Sequence, residues 1–109
     1  MSVKEKAKDL AEAIKESKEF EDLQSARARV KLDPNAQDLL QQLQSTQNKV
    51  VEMQQQGQQV SQEIVSQLKD LESQMQLNLT LKTLVEAQQK FEELMGEVND
   101  VLGKELQQQ

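Results

Sequence analysis

Apolar residues recur at alternating intervals of three and four along most of the chain, which is the periodicity of one face of an α-helix. The clearest run consists of Ala36, Leu39, Leu43, Thr46, Val50 and Met53. Asp33 and Pro34 mark its start, because an acceptor side chain followed by proline is typical of a helix N-terminus. Gly57 marks its end, since glycine is the usual left-handed residue after a helix. These signals predict a helix over residues 34–56.

A second amphipathic segment follows after a few residues. Ser61 is a suitable N-cap, and Val60 and Val65 have the spacing of a hydrophobic staple across it. The apolar face continues through Ile64, Leu68, Leu71 and Met75. A short connection between two such helices favours antiparallel pairing, so we expect a hairpin of 34–56 and 61–77. A low-complexity linker is the alternative for this glutamine-rich region, but the helical periodicity continues on both sides of the glutamines.

The last third of the chain predicts one long helix. The stretch "MQLNLTL" at 75–81 alternates with a period of two, but a lone strand would lack a partner, so we expect a turn in which Asn78 or Thr80 caps the next helix. From residue 81 to 106 one apolar face contains Leu84, Ala87, Phe91, Leu94, Val98 and Val101, and it is widened by Leu81, Val85, Met95, Leu102 and Leu106. A face this wide is typical of a helix that packs against more than one neighbouring helix.

The first third carries two apolar faces, one of Ala7, Leu10, Ala11 and Ile14 and one of Phe20, Leu23, Ala26 and Val30. On a straight helix these faces would lie roughly 160° apart. We therefore expect a break near Ser17, a suitable N-cap, or a sharp kink, giving helices over 2–16 and 18–31. The whole pattern predicts an all-α single domain over 1–109, a bundle of four to five helices around the central hairpin, without a sheet.

The net charge of −6 is unevenly distributed. Residues 1–31 carry eight basic and seven acidic side chains (+1), whereas residues 32–109 carry five and twelve (−7). An acidic body argues against a large phosphate-binding surface, so we do not expect direct binding of nucleic acid. The chain shows no signal peptide and no run near the ~18 apolar residues of a membrane span, which predicts a cytoplasmic protein that does not bind a membrane.

Catalytic chemistry finds little support in the composition. The sequence has no cysteine and no histidine, which removes thiol chemistry and the commonest general base and metal ligand. Its carboxylates lie mostly off the apolar faces, as expected of a solvated helix surface. The cluster of Arg27, Arg29 and Lys31 suits the negative end of a helix dipole better than a nucleic-acid site. We therefore predict no enzyme, and no catalytic, metal or cofactor-binding residue.

Three stretches resemble one protein family: "AKDLAEAIKESKEF" at 7–20, "EMQQQGQQVSQE" at 52–63 and "LKTLVEAQQKFEELMGEVNDVL" at 81–102. Their order and spacing are similar to those of the YlbF/YmcA-like bacterial proteins, in particular the YheA-type branch. The resemblance covers nearly the whole chain and implies an all-helical, dimeric regulator of competence, biofilm formation and sporulation. It also implies a possible adaptor role in RNase Y-dependent mRNA processing. Members of that complex have been associated with iron–sulfur clusters held by cysteines, which this sequence lacks, so we expect no cofactor.

Slender helices with wide apolar faces favour association with a second copy or with other regulatory proteins. The residues expected at a homodimer interface are Leu84, Phe91, Leu94, Val98 and Val101, followed by Leu10 and Ile14. Three rivals remain: a secreted type VII-like helical hairpin, a prefoldin-like holdase and an RNA-binding regulator. The first normally carries a Trp-x-Gly turn, whereas this chain has Gln55-Gln56-Gly57. The second needs β-hairpins, and the sequence shows no convincing strand pair.

Overall fold

The computed structural model describes residues 2–107 and contains five α-helices within them. They are α1 (Val3–Lys15), α2 (Lys18–Lys31), α3 (Pro34–Gln55), α4 (Gln62–Leu77) and α5 (Leu79–Gln107). No strand occurs in this part of the chain, so the all-α prediction is confirmed. None of the described helices is long and apolar enough to cross a membrane.

Ser17 separates the first two helices. Its hydroxyl donates to the carbonyl of Ile14, and the N–H of Phe20 donates to the same hydroxyl oxygen at 3.2 Å. One side chain therefore satisfies a carbonyl at the end of α1 and an amide in the first turn of α2, which are groups that a helix leaves unpaired at its ends. The structure has two helices here, not one kinked helix.

Both ends of α3 carry specific caps. The Asp33 carboxylate accepts from the N–H of Ala36 at 3.2 Å, and Pro34 occupies the first turn. After the helix, Gly57 has φ +73°. Its N–H donates to Gln54 at 3.1 Å, and the N–H of Gln58 donates to Met53 at 2.9 Å. This pair of bonds is a Schellman motif, which satisfies two of the last carbonyls of α3.

A single residue, Asn78, joins α4 to α5. Its N–H donates to the carbonyl of Met75 at 3.2 Å, and its side-chain oxygen accepts from the N–H of Leu81 at 3.0 Å. Asn78 rather than Thr80 is thus the N-cap, and α5 begins at Leu79, two residues before the predicted start. At the other end of α4, the Ser61 hydroxyl accepts from the N–H of Ile64 at 3.3 Å.

Helices α3 and α4 pack against each other as the predicted hairpin. Their buried side chains are Ala36, Leu39, Thr46, Ile64 and Leu71. Thr46 is the polar member of this set, and its hydroxyl donates to the carbonyl of Gln42 at 2.8 Å, so its burial leaves no unpaired donor. The core of the hairpin is therefore mainly aliphatic, and the buried hydroxyl of Thr46 within it is hydrogen-bonded.

The chain divides into two compact units. One comprises Met1–Ala28 with Leu84–Gln109, as far as the structure describes them, and is called the terminal unit below. The other comprises Arg29–Thr83 and is called the hairpin unit. Buried apolar residues occur in both: Leu23, Ala26, Leu84 and Ala87 in the terminal unit, and Val30, Ala36, Leu39, Ile64, Leu71 and Leu81 in the hairpin unit.

Candidate interaction surface

An aromatic pair connects α2 and α5 in the terminal unit. The rings of Phe20 and Phe91 have their centroids 5.8 Å apart and are inclined by 55°. This is the tilted arrangement that aromatic rings prefer. Both rings are half-buried. The contact holds the first turn of α2 against the middle of α5.

Charged side chains line a shallow groove of about 380 Å³ between the same helices. Its walls are Lys18, Glu19, Asp22, Lys90, Glu93, Leu94 and Glu97. Among the described residues no three Asp or Glu side chains converge to form a metal site. The groove is a solvated, acid-rich surface.

Helix α1 is the most amphipathic of the five helices, yet it contributes nothing to the core. None of its residues, all of which the structure describes, is buried, and Ile14 alone among them is half-buried. Leu10 and Val3 are exposed. The apolar face of a helix is usually covered by another part of a protein. The face of α1 is therefore available to another molecule.

The C-terminal part of α5 has the same property. Val101 is 60% exposed, and Leu102 and Leu106 are also exposed. Val98, one turn earlier, is half-buried. This half of α5 continues the apolar face of the helix beyond the point where the chain itself covers it.

The helical segments that contain the two uncovered faces have opposite net charge. Between Val3 and Lys15 there are four lysines and three acids, a net charge of +1. Between Phe91 and Gln107 there are five acids and one lysine, a net charge of −4. Apolar faces bordered by opposite charge are complementary to each other.

The residues predicted for an interface differ in their exposure. Leu10 and Val101 are exposed, whereas Ile14, Phe91, Leu94 and Val98 are half-buried. Leu84 is only 9% exposed. It packs within its own chain and has little surface left for a partner, so the interface proposed below does not include it. The apolar periodicity that includes Leu84 predicts on which side of the helix its side chain lies. It does not predict whether the same chain or a partner covers that side.

The predicted cap residues lie at the helix ends. Ser17, Asp33, Ser61 and Asn78 each accept a hydrogen bond from an N–H in the following turn. Pro34 is in the first turn of α3, and Gly57 has the left-handed conformation. These residues determine where the apolar faces start and stop, and they take no part in the exposed surfaces of α1 and α5.

Three exposed leucines lie outside the interface that the sequence predicts. Leu32, Leu77 and Leu79 lie at helix junctions and are 84%, 87% and 78% exposed. For Leu77 and Leu79, the alternation with a period of two around Asn78 indicates exposure, because it places leucines where no helix face requires them.

The surroundings of the Asp33 carboxyl group change its pKa. A hydrogen bond from the Thr80 side chain, assisted by the N–H of Ala36, lowers the pKa of Asp33. Donors that stabilise a carboxylate in this way favour its charged form. The hydrogen bond from the N–H of Ala36 makes Asp33 the N-cap of α3, and the lowered pKa keeps this cap charged.

Comparison with known proteins gives a consistent picture. The family model described as "Control of competence regulator ComK, YlbF/YmcA" matches residues 3–107. A UPF0342 protein of Desulfitobacterium hafniense is 29% identical over 102 residues, covering 94% of this chain and 78% of the relative. YheA of Bacillus subtilis, also a UPF0342 protein, is 28% identical over 102 residues, covering 94% of this chain and 87% of YheA. A UPF0342 protein of Streptococcus agalactiae is 30% identical over 96 residues, covering 88% of this chain and 86% of that protein.

A solved structure has a similar fold. It is the crystal structure of Bacillus subtilis RicA in complex with RicF, which matches with a TM-score of 0.77 at 19% sequence identity. The match covers 93% of this chain and 90% of the other. At this identity the likeness concerns the fold alone.

Proposed function

Because the chain belongs to the YlbF/YmcA family, which is described by its control of the competence regulator ComK, and is similar to the YheA-type members, we propose that it is a non-enzymatic regulatory protein. It is proposed to work by binding other proteins and a second copy of itself. The observation that carries this proposal is the pair of uncovered apolar faces on α1 and on the C-terminal part of α5.

The self-association is proposed to pair α1 of one copy with the end of α5 of another. Both faces are apolar, and the helical segments that contain them have opposite net charge, +1 for Val3–Lys15 and −4 for Phe91–Gln107. In a two-fold dimer this contact forms twice, since each copy contributes both faces. A stable interface of this kind buries about 800 Å² on each partner.

Analytical ultracentrifugation tests the self-association. The wild-type chain of 12.4 kDa is expected to sediment at about twice that mass, with weaker association at high salt. Val101→Glu is expected to produce monomers, because it puts a charge into the proposed contact. Val51→Glu is the matched control, since Val51 is 50% exposed on α3. A monomeric wild type, or equal effects of the two variants, would contradict the proposed dimer.

We also propose a more specific regulatory role, that of an adaptor between other proteins. The family description concerns competence, and RicA forms a complex with RicF, which supports an adaptor that acts by assembly with other proteins. The proposed extension to RNase Y-dependent mRNA processing follows only from the resemblance to the family. Mapping transcript ends in a deletion strain of the host tests this role. We expect altered processing that is restored by the wild-type gene but not by the Val101→Glu variant. Unchanged transcript ends would exclude the adaptor role without affecting the dimer.

A further inference from the structure

Two grooves follow the seam between α3 and α4 within the hairpin unit. One has a volume of about 350 Å³ and is lined by residues within 42–49 and 67–74. The other has a volume of about 320 Å³ and is lined by residues within 35–39 and 74–78. The side chain of Gln74 lines both of them. They therefore form one continuous depression along the hairpin, which we call the hairpin groove.

The floor of the hairpin groove is buried, whereas its walls are polar. Leu39, Thr46 and Leu71 line the groove and are buried, so they form its floor. The walls consist largely of exposed or half-buried side chains that form hydrogen bonds, among them Asn35, Gln42, Ser45, Gln67, Gln74 and Asn78. Each amide side chain has both donors and an acceptor. The groove therefore offers hydrogen bonds of both kinds above a mainly apolar floor.

Thr46 places a polar group at a floor position where an apolar side chain would serve the fold. It is 6% exposed and belongs to the face of α3 that packs on α4. Its hydroxyl donates to the carbonyl of Gln42 at 2.8 Å, which is a bond within α3 and not between the two helices. The hydroxyl oxygen keeps its lone pairs as acceptors. The floor of the groove can therefore accept a hydrogen bond from a bound N–H group.

The charges that line the hairpin groove are few and mixed. They are Asp38, Lys49 and Asp70, two acids and one base. The carboxylate of Asp38 already accepts a hydrogen bond from the side chain of Gln42 at 2.7 Å. Since the lining has neither a basic nor a strongly acidic excess, it does not favour a highly charged ligand. The matching ligand carries uncharged donors and acceptors along its length.

We infer that the hairpin groove binds an extended, uncharged peptide segment of another protein through the backbone of that peptide. An extended chain has unpaired N–H and C=O groups along its edges, and main-chain hydrogen bonds are a common basis of peptide recognition. Residues 35 and 49, the first and last lining positions of α3, are about 21 Å apart at ~1.5 Å per residue. This length accommodates about six residues of an extended peptide, whose alternate side chains would face the floor.

Other ligands match the lining less well. The backbone groups of a partner helix are already paired, and its apolar face would lie against the polar walls. RNA would meet the carboxylates of Asp38 and Asp70, and none of the lining residues is an aromatic on which a base could stack. The inference rests on the proposed function in that it gives a site for binding other proteins, but the proposed α1–α5 contact does not involve this groove.

Nuclear magnetic resonance with the full, isotope-labelled chain tests the inference, since it detects weak binding and locates it. The probe is a hexapeptide of alternating valine and serine, acetylated and amidated so that it carries no charge. A second peptide has N-methyl groups on its valines, which remove the N–H donors along one edge of the extended chain. We expect the first peptide to shift the backbone amide signals of Thr46, Leu71 and Gln74. The N-methylated peptide is expected to bind about tenfold more weakly, because several hydrogen bonds are lost.

Variants of single side chains test the role of the amides. Gln74→Leu removes the amide shared by both parts of the groove and is expected to weaken binding of the first peptide about tenfold. Gln76→Leu is the matched control, because Gln76 is exposed on the same helix and is not among the residues that line the groove. It is expected to leave binding unchanged. Thr46→Val removes the acceptor from the floor and is expected to weaken binding about fivefold.

The inference is overturned if the first peptide shifts none of these signals at millimolar concentration, if the two peptides bind equally, or if the two leucine variants have the same effect. It is also overturned if single-stranded RNA or a leucine-rich helical peptide shifts the signals while the extended peptide does not. Circular dichroism of each variant confirms that the helices are intact. Ultracentrifugation of Gln74→Leu is expected to give the same mass as the wild type, so a failure of this inference is distinguishable from a failure of the proposed dimer.

Discussion

The ring of Phe20 lies against the ring of Phe91, with a centroid separation of 5.8 Å and an inclination of 55°. These are the two aromatic residues of the whole sequence. Their contact joins residues that are about seventy positions apart along the chain, and it pairs the first turn of α2 with the middle of α5. The terminal unit therefore depends on a contact that neither helix provides by itself.

We predict that Phe20 and Phe91 contribute to stability as a coupled pair. Each ring is half-buried, so each single change to alanine should lower the free energy of unfolding by about 2 kcal/mol, less than for a fully buried ring. The double variant should cost less than the sum of the two by about 1 kcal/mol, the usual size of an aromatic interaction. Guanidinium unfolding followed by far-ultraviolet circular dichroism measures all three values. Strictly additive effects would show that the rings do not interact in solution.

Leu81 and Leu79 form a matched pair for testing the start of α5. Leu81 is 1% exposed and Leu79 is 78% exposed, although they are two residues apart. Leu81→Ala should lower the free energy of unfolding by about 3 kcal/mol. Leu79→Ala should change it by less than about 0.5 kcal/mol. Equal losses in urea unfolding would contradict the placement of Asn78 as the cap that orients these two leucines.

Gly57 is expected to tolerate asparagine better than valine. Its φ of +73° disfavours side chains in general and β-branched ones most. An added Cβ would meet no atom within 4 Å, so the cost comes from the backbone and not from packing. Gly57→Val should destabilise the protein by about 1–2 kcal/mol more than Gly57→Asn. Thermal unfolding of the two variants at one concentration measures the difference, and similar losses would contradict the Schellman motif.

The cap at Asp33 should make stability depend on acid pH. Hydrogen bonds from Thr80 and from the backbone lower the pKa of this carboxyl in the folded chain. Its contribution is therefore complete above the ordinary aspartate pKa of about 4 and is lost as the pH falls through the lowered value. Asp33→Asn keeps an acceptor for the cap but removes the titration, so the wild type should lose more stability than this variant below about pH 4. Parallel pH profiles in urea unfolding would contradict the assignment.

The sequence predicts the hairpin well because both of its helices begin and end at local signals. Asp33 and Ser61 cap the N-termini of α3 and α4, and Gly57 lies where α3 ends and the chain changes direction. The apolar periodicity of α3 even includes Thr46, a polar residue that is buried because its hydroxyl bonds to the carbonyl one turn earlier. Such information is contained within a few residues and does not depend on distant contacts.

The exposed surfaces are harder to predict. Leu84 and Val101 belong to the same apolar face of α5, yet one is buried and the other is 60% exposed. Periodicity determines which way a side chain points, whereas burial depends on whether another helix extends far enough to cover it. The exposure of Leu77 and Leu79 is equally hard to predict, since no helical face requires a leucine at either position. The residues that cover a helix face are distant in the sequence, so the repeating pattern of the face itself does not predict them.

Because both aromatic rings of the chain meet in one place, its near-ultraviolet circular dichroism has a single local source. The far-ultraviolet spectrum, by contrast, averages over all the helices. Two melting curves recorded on one sample would thus report separately on the terminal unit and on the whole chain, without any label. If the curves coincide, the chain unfolds as the single cooperative domain that the sequence predicts, and if they separate, the terminal unit melts on its own.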